Sequence, residues 1–210
     1  LSLSDVGVFI GLGGSLAAPA TADDWSTSAV INGSLGFAAQ VSALTLISLK
    51  DRGADPLATT DDTSYLGVAL ADFAGDLIGL DDLLVFHAYG IDALINQVVA
   101  GDPGASPGKL DWSGLGVHDS DYSGLDIDTE LALLGATGLG ALDADIDLAI
   151  SGGVALDVLD GLLVAKGAFQ IALGQIRTAA LPSGAGADAD AMVLSLSDVG
   201  VFIGLGGSLA

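Results

Sequence analysis

LSLSDVGVFIGLGGSLA, residues 1–17, recurs without a change as residues 194–210. The two copies of this repeat segment are identical at all 17 positions and lie 193 residues apart. Identity over such a length at a fixed offset is the sequence signature of a tandem array. We therefore predict that residues 1–193 are one repeat unit and that residues 194–210 begin the next copy. The alternative is a single protein whose first and last strands are duplicated to close a ring.

Short runs of Val, Ile, Leu and Ala separated by glycines predict strands and turns rather than helices. Residues 125–133 and 142–150 alternate apolar with mostly acidic side chains, which is typical of a half-buried strand. Other runs are apolar at successive positions and predict strands that are buried on both faces. These runs are residues 6–12, 41–49, 83–91 and 161–173.

One segment leaves a helix open as an alternative to a strand. Residues 91–100 carry Ile91, Leu94, Ile95 and Val98 at helical spacing and contain no glycine. Polar stretches that hold all five prolines predict surface loops between the strands. The predicted loops are residues 18–28, 51–64, 101–108, 117–124 and 181–191, of which the last is the most linker-like.

These patterns predict an all-β fold, and specifically an elongated β-solenoid-like tandem repeat. At about 20–30 residues per coil and about 4.8 Å per coil, one unit would advance roughly 30–50 Å. The alternative is a string of two β-sandwich domains per unit, joined like beads. Weak internal echoes, such as LDDLLV at residues 80–85 and LDGLLV at residues 159–164, suggest two related halves within the unit.

The charge of the chain restricts its partners. A formal charge of -22, from 27 acidic and 5 basic residues, should repel nucleic-acid phosphates and anionic membrane surfaces. No uninterrupted apolar run reaches the length of a spanning helix, so we predict no membrane insertion. With no cysteine, thiol chemistry and disulfides are excluded. Divalent cation binding and adaptation to salty surroundings both explain the acidity, and both point outside the cell or to a halophile. Of these we predict an extracellular or cell-surface location.

Alternating aspartates at residues 143–147 raise the question of calcium. Carboxylates are suitable calcium ligands, but Leu148 and Val154 stand where an EF-hand loop needs glycine and glutamate. A row of carboxylates on one strand face is the remaining arrangement, and bound calcium would relieve its repulsion as solvation would. The candidate calcium ligands are Asp143, Asp145, Asp147, Asp126 and Asp128.

No arrangement of residues in the sequence indicates catalysis. The chain contains no GxSxG nucleophile motif, and its two histidines, His87 and His118, are read as a packed residue and a loop residue. We predict that the protein is not an enzyme and has no catalytic or organic-cofactor residues. Trp25 and Trp112 stand beside polar residues, where an aromatic ring could stack on a sugar, so a surface or glycan ligand stays open.

A resemblance in the pattern of segments adds to this reading. SDVGVFIGLGG (residues 4–14), SALTLISLKD (42–51), SYLGVAL (64–70), LIGLDDLLV (77–85), LDWSGL (110–115) and GVALDVLDGLLVAKGAFQI (153–171) resemble the long repeats of giant, low-cysteine, adhesin-like bacterial surface proteins. The resemblance implies secretion, a repetitive β-rich rod and no enzymatic activity.

We therefore expect a structural repeat of a secreted or cell-surface fibre, whose partners are neighbouring copies of the same repeat. The alternative is a calcium-stiffened adhesin that binds a surface or a carbohydrate. Neighbouring units should meet through the apolar residues of the repeat segment. These self-assembly residues are Val6, Val8, Phe9, Ile10, Leu12 and their copies Val199, Val201, Phe202, Ile203, Leu205.

Overall fold

The fold is all-β, as the sequence predicts. The computed structural model describes residues 1–22, 24–55, 57–114, 139–178 and 187–209. Nine strands lie in these residues, together with three single-turn 3-10 helices at Trp25–Thr27, Trp112–Gly114 and Leu139–Ala141. The strands are β1 (Ser2–Leu12), β2 (Ser15–Leu16), β3 (Val30–Ile31), β4 (Leu35–Asp51), β5 (Thr63–Ile78), β6 (Leu84–Ala100), β7 (Ile146–Val158), β8 (Leu163–Thr178) and β9 (Ala187–Ile203).

Seven of these strands form one antiparallel sheet in the order β1-β4-β5-β6-β7-β8-β9. The short strands β2 and β3 pair with each other in the connection between β1 and β4. Each long strand pairs with the next long strand along the chain, so the sheet is a meander whose two edges are β1 and β9. This arrangement confirms the all-β class, while the solenoid-like form stays a prediction.

The helix considered for residues 91–100 does not form, because these residues lie inside β6. Pairing on both sides explains the outcome. Ile95 faces Val68 of β5 and Leu148 of β7, so the strand is held by two neighbours whatever its local spacing suggests. The echoed sequences LDDLLV and LDGLLV occupy corresponding places, at the β5–β6 and β7–β8 turns, at the same end of the sheet.

A line of backbone irregularities crosses the sheet near the middle of its long strands. Asp5 in β1, Asp72 in β5 and Asp198 in β9 have φ of 51°, 50° and 53°, in the left-handed region that few non-glycine residues adopt. The pairings β5–β6, β6–β7 and β8–β9 each shift register at this level. Polar bonds link the line across strands, since Ser42 Oγ donates to Asp72 Oδ2 and Asp72 N donates to Asp92 Oδ1.

One end of the sheet is covered on one face by the segment between β6 and β7. Trp112, Leu139 and Leu142 from this segment pack on Ala69 of β5 and form the main buried cluster of the described residues. Asn96 of β6 is only 1% exposed and holds the segment in place. Its side chain donates to Leu110 O and Asp143 O, both at 2.8 Å, and accepts from Trp112 Nε1 at 2.9 Å. These bonds satisfy its polar atoms.

Several details of the strand predictions are wrong. Residues 6–12 do form a strand, but they are not buried on both faces, because they lie at a sheet edge where Ile10 is 70% exposed and Leu12 66%. Residues 41–49, 83–91 and 161–173 lie in β4, β6 and β8 and their adjoining turns, but most of their side chains are half-buried or exposed, so burial on both faces is wrong for these runs too. Strand β7 begins at Ile146, so the front of the predicted 142–150 strand is a turn. The predicted linker 181–191 runs into β9 from residue 187. The predicted strand 125–133 and loop 117–124 lie outside the described residues.

Among the residues that the structure describes, no helix has both the length and the apolar character needed to cross a membrane.

Candidate assembly surfaces

Both edges of the sheet are built from the same sequence. Residues 2–12 of the first repeat segment form β1, and residues 194–203 of the second copy form the last part of β9. Among the described residues β1 pairs with β4 alone and β9 with β8 alone, so within this part of the chain each copy has one bonded side and one open side. An open strand edge carries unpaired N–H and C=O groups that can pair with another strand.

The two copies adopt the same local backbone although their neighbours differ. The φ of Asp5 is 51° and that of its copy Asp198 is 53°. Gly13 and its copy Gly206 have φ of 80° and 81°. These positive values place the kink and the turn at the same positions of the segment in both copies. The segment therefore encodes its own shape.

In each copy, packing of a phenylalanine ring against two glycines of the same segment helps to set this backbone shape. The ring of Phe9 fills the space where side chains of Gly11 and Gly14 would stand, and Phe202 does the same above Gly204 and Gly207. A Cβ on Gly14 would lie 2.3 Å from the Phe9 ring, and a Cβ on Gly207 would lie 2.5 Å from the Phe202 ring. Glycine is required at both places because the ring of the same segment packs there.

The copies use opposite sides of the strand for their hydrogen bonds. In the first copy, Leu1 exchanges two bonds with Leu46 at 2.8 Å, and Leu12 O accepts from Ser34 N. In the second copy, Gly204 N donates to Leu162 O and Gly207 N to Gly161 O. The positions bonded toward β8 correspond to residues 11 and 14, and those bonded toward β4 are residues 1 and 12. These four positions differ, so none of these bonds prevents one strand from pairing with β8 and β4 together.

An apolar row crosses one face of the sheet and ends at the second copy. Directly paired residues of neighbouring strands lie on the same face. The row runs through every long strand: Leu3, Leu44, Leu70, Ala93, Ile150, Ile171 and Leu194. Leu194 is the copy of Leu1, which is bonded to Leu46. A following unit would thus continue the row with its own Leu46.

The predicted self-assembly residues all lie on these two edge strands or directly beyond them. Val6 and Phe9 are half-buried, whereas the others are exposed. The same residue is often more exposed in the second copy, as Leu3 at 39% and Leu196 at 64% show. The difference arises because β4 and residues 13–34 flank only the first copy. The exposed members are Val8, Ile10, Leu12, Val199, Val201, Phe202, Ile203 and Leu205.

The three calcium candidates that the structure describes, Asp143, Asp145 and Asp147, do not form a row on one strand face. Asp143 and Asp145 precede β7, and Asp143 Oδ1 accepts from the backbone N–H groups of Asp145 and Ile146. Asp147 Oδ1 is bound by Lys109 Nζ at 2.7 Å. No group of three or more metal-ligating side chains gathers in the described ranges. Asp126 and Asp128 lie outside those ranges, so calcium binding stays a prediction.

Several aspartates of the described residues share one structural role in turns. Their carboxylates accept a hydrogen bond from the backbone two residues later, which is the Asx turn. Six residues do this: Asp24, Asp51, Asp55, Asp102, Asp111 and Asp143. Glutamate is one methylene longer and is less suited to this turn, and Glu130 is the one glutamate among the 27 acidic residues.

Of the histidines and tryptophans singled out in the sequence, His87 lies beside an aspartate, Trp112 is buried and Trp25 is exposed. His87 Nδ1 lies 2.6 Å from Asp76 Oδ1 on neighbouring strands, and both side chains are half-exposed. His118 lies outside the described residues. Trp112 is buried, so it offers no surface for a sugar, whereas Trp25 is exposed in the β2–β3 connection.

The sequence analysis missed one groove. About 580 Å³ of space lies between residues 28–32 and the face of β1 and β4, lined in part by Asp5, Ser28, Gln40 and Asp72. Ser28 Oγ is buried there and has no hydrogen-bond partner among the residues that the structure describes. The groove depends on how the β1–β4 connection folds back over the sheet, and no local motif signals that.

Comparison with protein-family models, with curated proteins and with solved structures finds no match for this chain.

Proposed function

We propose that residues 1–193 are one unit of a structural tandem array, and that each repeat segment is a strand shared by two units. In this array the segment pairs with β8 of the preceding unit on one side and with β4 of its own unit on the other. The units then form one continuous antiparallel sheet. The function is mechanical: a fibre that extends by one unit at each repeat.

One observation carries the proposal. The same 17-residue sequence forms both edges of the sheet, with the same kink and turn, while bonding through opposite sides. A segment that only closed a ring would need its two copies to pair with each other, whereas β1 and β9 lie at opposite edges of the described sheet. The continuation of the apolar row from Leu194 to Leu46 adds independent support.

The proposed array allows the axial advance and the twist per unit to be estimated for the elongated, solenoid-like rod expected from the sequence. Each unit would add six long strands, β1 and β4 to β8, to the sheet. At about 4.8 Å per strand the unit would advance about 29 Å. Neighbouring strands twist by about 20–25°, so the sheet would turn by roughly 120–150° per unit and coil along the fibre.

We place this fibre outside the cell or on its surface. A charge of -22 per chain of 210 residues would keep long arrays apart and soluble, although apolar side chains remain exposed on the sheet. The resemblance to adhesin-like surface repeats points the same way. The calcium-stiffened adhesin stays the second hypothesis, supported by composition alone.

The test compares amide hydrogen exchange in the 210-residue chain and in a longer chain that carries two units followed by the repeat segment. Leu194 N–H corresponds to Leu1 N–H, which bonds toward β4, so it should face the open edge in the single unit. In the two-unit chain it should bond to the next Leu46 and exchange at least about tenfold more slowly. Gly204 N–H, already bonded to Leu162, is the internal control and should change little.

Equal exchange of Leu194 N–H in the two chains would contradict the shared strand and favour separate beads. Small-angle scattering of the same chains gives a second readout. A continuous sheet should lengthen by about 29 Å when a unit is added.

A further inference from the structure

Strand β8 has an edge that β9 of the same chain covers and that a strand of a second molecule could cover instead. In this chain β9 covers that edge, and the covering residues 194–203 have the sequence of residues 1–10 of β1. Strand β1 bonds β4 with one side and keeps its other side open. That open side corresponds to the side with which β9 bonds β8.

We infer that the β8 edge is a docking site for strand β1 of a second copy of this chain, so that separate arrays join end to end. The copy of the repeat segment in β9 then acts as a cap that occupies the site from within the same chain. This inference rests on the proposed function, since both use the same strand edges, but it adds a partner that the covalent array does not require.

The hydrogen-bonding pattern supports docking without unfolding of the incoming strand. Backbone groups alternate between the two sides of a strand, so Ser2 and Ser4 should face away from β4 because Leu1 faces toward it. Their copies Ser195 and Ser197 pair with Gln170 and Ala168 of β8. An incoming β1 could therefore offer to β8 the groups that β9 offers, while it stays bonded to its own β4.

The resulting contact does not form a closed two-fold dimer. It joins one edge, β8, to the opposite edge, β1, and is therefore a head-to-tail contact that propagates. Addition of a strand to an open edge is a common mode of recognition. The matching sequence selects this chain as the occupant rather than an unrelated strand.

The experiment opens the β8 edge in the full 210-residue chain. Ser195→Pro with Ser197→Pro removes two N–H groups that should face β8, and proline rings obstruct pairing on that side. Sedimentation velocity should then show linear oligomers at concentrations at least about tenfold below those at which the unchanged chain associates. Ser195→Ala with Ser197→Ala keeps the N–H groups and should behave as the unchanged chain.

A second substitution tests which strand docks. Adding Ser4→Pro to the double proline variant removes an N–H on the open side of β1 and should abolish the oligomers, whereas adding Ser4→Ala should preserve them. The unchanged chain has a capped β8 edge and an open β1, so it should bind the end of an oligomer and shorten it. Oligomers that neither Ser4→Pro nor the unchanged chain affects would overturn the inference.

Loss of folding in the double proline variant would also give an answer. The unchanged chain in excess should then bind the variant through its own β1 and raise the variant's melting temperature, and absence of this rescue contradicts the inference. The docking of separate molecules can be contradicted without contradicting the proposed sharing of strands within one chain. A double proline variant that stays folded and monomeric, together with slowed exchange of Leu194 N–H in the two-unit chain, would limit strand sharing to units of one chain.

Discussion

At the residue scale, turn geometry gives six aspartates of the described residues a structural role that suits aspartate better than glutamate. A short carboxylate reaches the backbone N–H two residues later, and six aspartates make this bond. Composition alone left calcium and solvation as the two explanations for the acidity. The hydrogen bonds add a third, which concerns the identity of the acid rather than the net charge.

Two substitutions of Asp143 distinguish a role of its carboxylate in the turn from a role in calcium binding. Asp143→Asn keeps the acceptor oxygen but loses the charge, so we expect the free energy of unfolding to change by less than about 0.5 kcal/mol. Asp143→Glu keeps the charge but should lose the bonds to Asp145 and Ile146, at a cost of about 1 kcal/mol. Urea denaturation without calcium measures both, with Asp81→Glu in an exposed turn as the control. Destabilisation by Asn alone would favour a role for the charge.

The candidate assembly residues could be predicted from the sequence because the repeat marks them directly. Phe9 and Phe202 fall in identical segments, and identity needs no knowledge of the fold. Asn96 and Lys109 could not be found in this way. Their roles depend on the β6–β7 segment returning across the sheet, which brings Asn96 to Leu110 and Asp143, and Lys109 to Asp147.

At the scale of the strand, the kink line was the feature least visible in the sequence. Apolar runs predicted most of the long strands, because β-branched and leucine-rich stretches bounded by glycine favour extended backbone. The apolar pattern around Asp72 does not mark any change in the backbone. Asp72 instead adopts φ of 50° and bonds to Ser42 and Asp92 on the neighbouring strands. Sequence periodicity does not report backbone handedness at a single residue.

Substitution of Asp72 should show how much the kink depends on that residue. Asp72→Val puts a β-branched side chain at positive φ and removes the Ser42 bond, and we expect a loss of about 2–3 kcal/mol in unfolding free energy. Asp72→Asn tolerates the same φ and should stay within about 0.5 kcal/mol. Ala71→Val, at the exposed neighbouring position in β5, is the matched control. A loss in the control as large as in Asp72→Val would assign the effect to the strand and not to the kink.

At the scale of the whole molecule, the 17-residue duplication is visible in the sequence, whereas the sheet order is not. Composition fixed the all-β class, but parallel coils and an antiparallel meander share the same strand propensities. The order β1-β4-β5-β6-β7-β8-β9 depends on turn geometry and on which edges meet. The burial expected on both faces of residues 6–12 was wrong for the same reason, because these residues form an edge strand of the described sheet.

Charge sets the last prediction at this scale. With 27 acidic and 5 basic residues, the folded chain repels itself, and ion pairs such as Lys50–Asp62 and Lys109–Asp147 offset little of the charge. Raising NaCl from about 0.01 to about 1 M shortens the Debye length from about 30 to about 3 Å. We expect the melting temperature to rise by several degrees, as measured by circular dichroism.

Calcium chloride at matched ionic strength separates screening from binding. A further rise in melting temperature that a chelator reverses would confirm the calcium prediction, since screening depends on ionic strength whereas a site responds to the ion itself. Superimposable curves in the two salts would remove calcium from the mechanism and leave the fibre to strand pairing. A melting temperature that does not respond to NaCl would show that self-repulsion does not limit the stability of this sheet, and the acidity would then need another explanation.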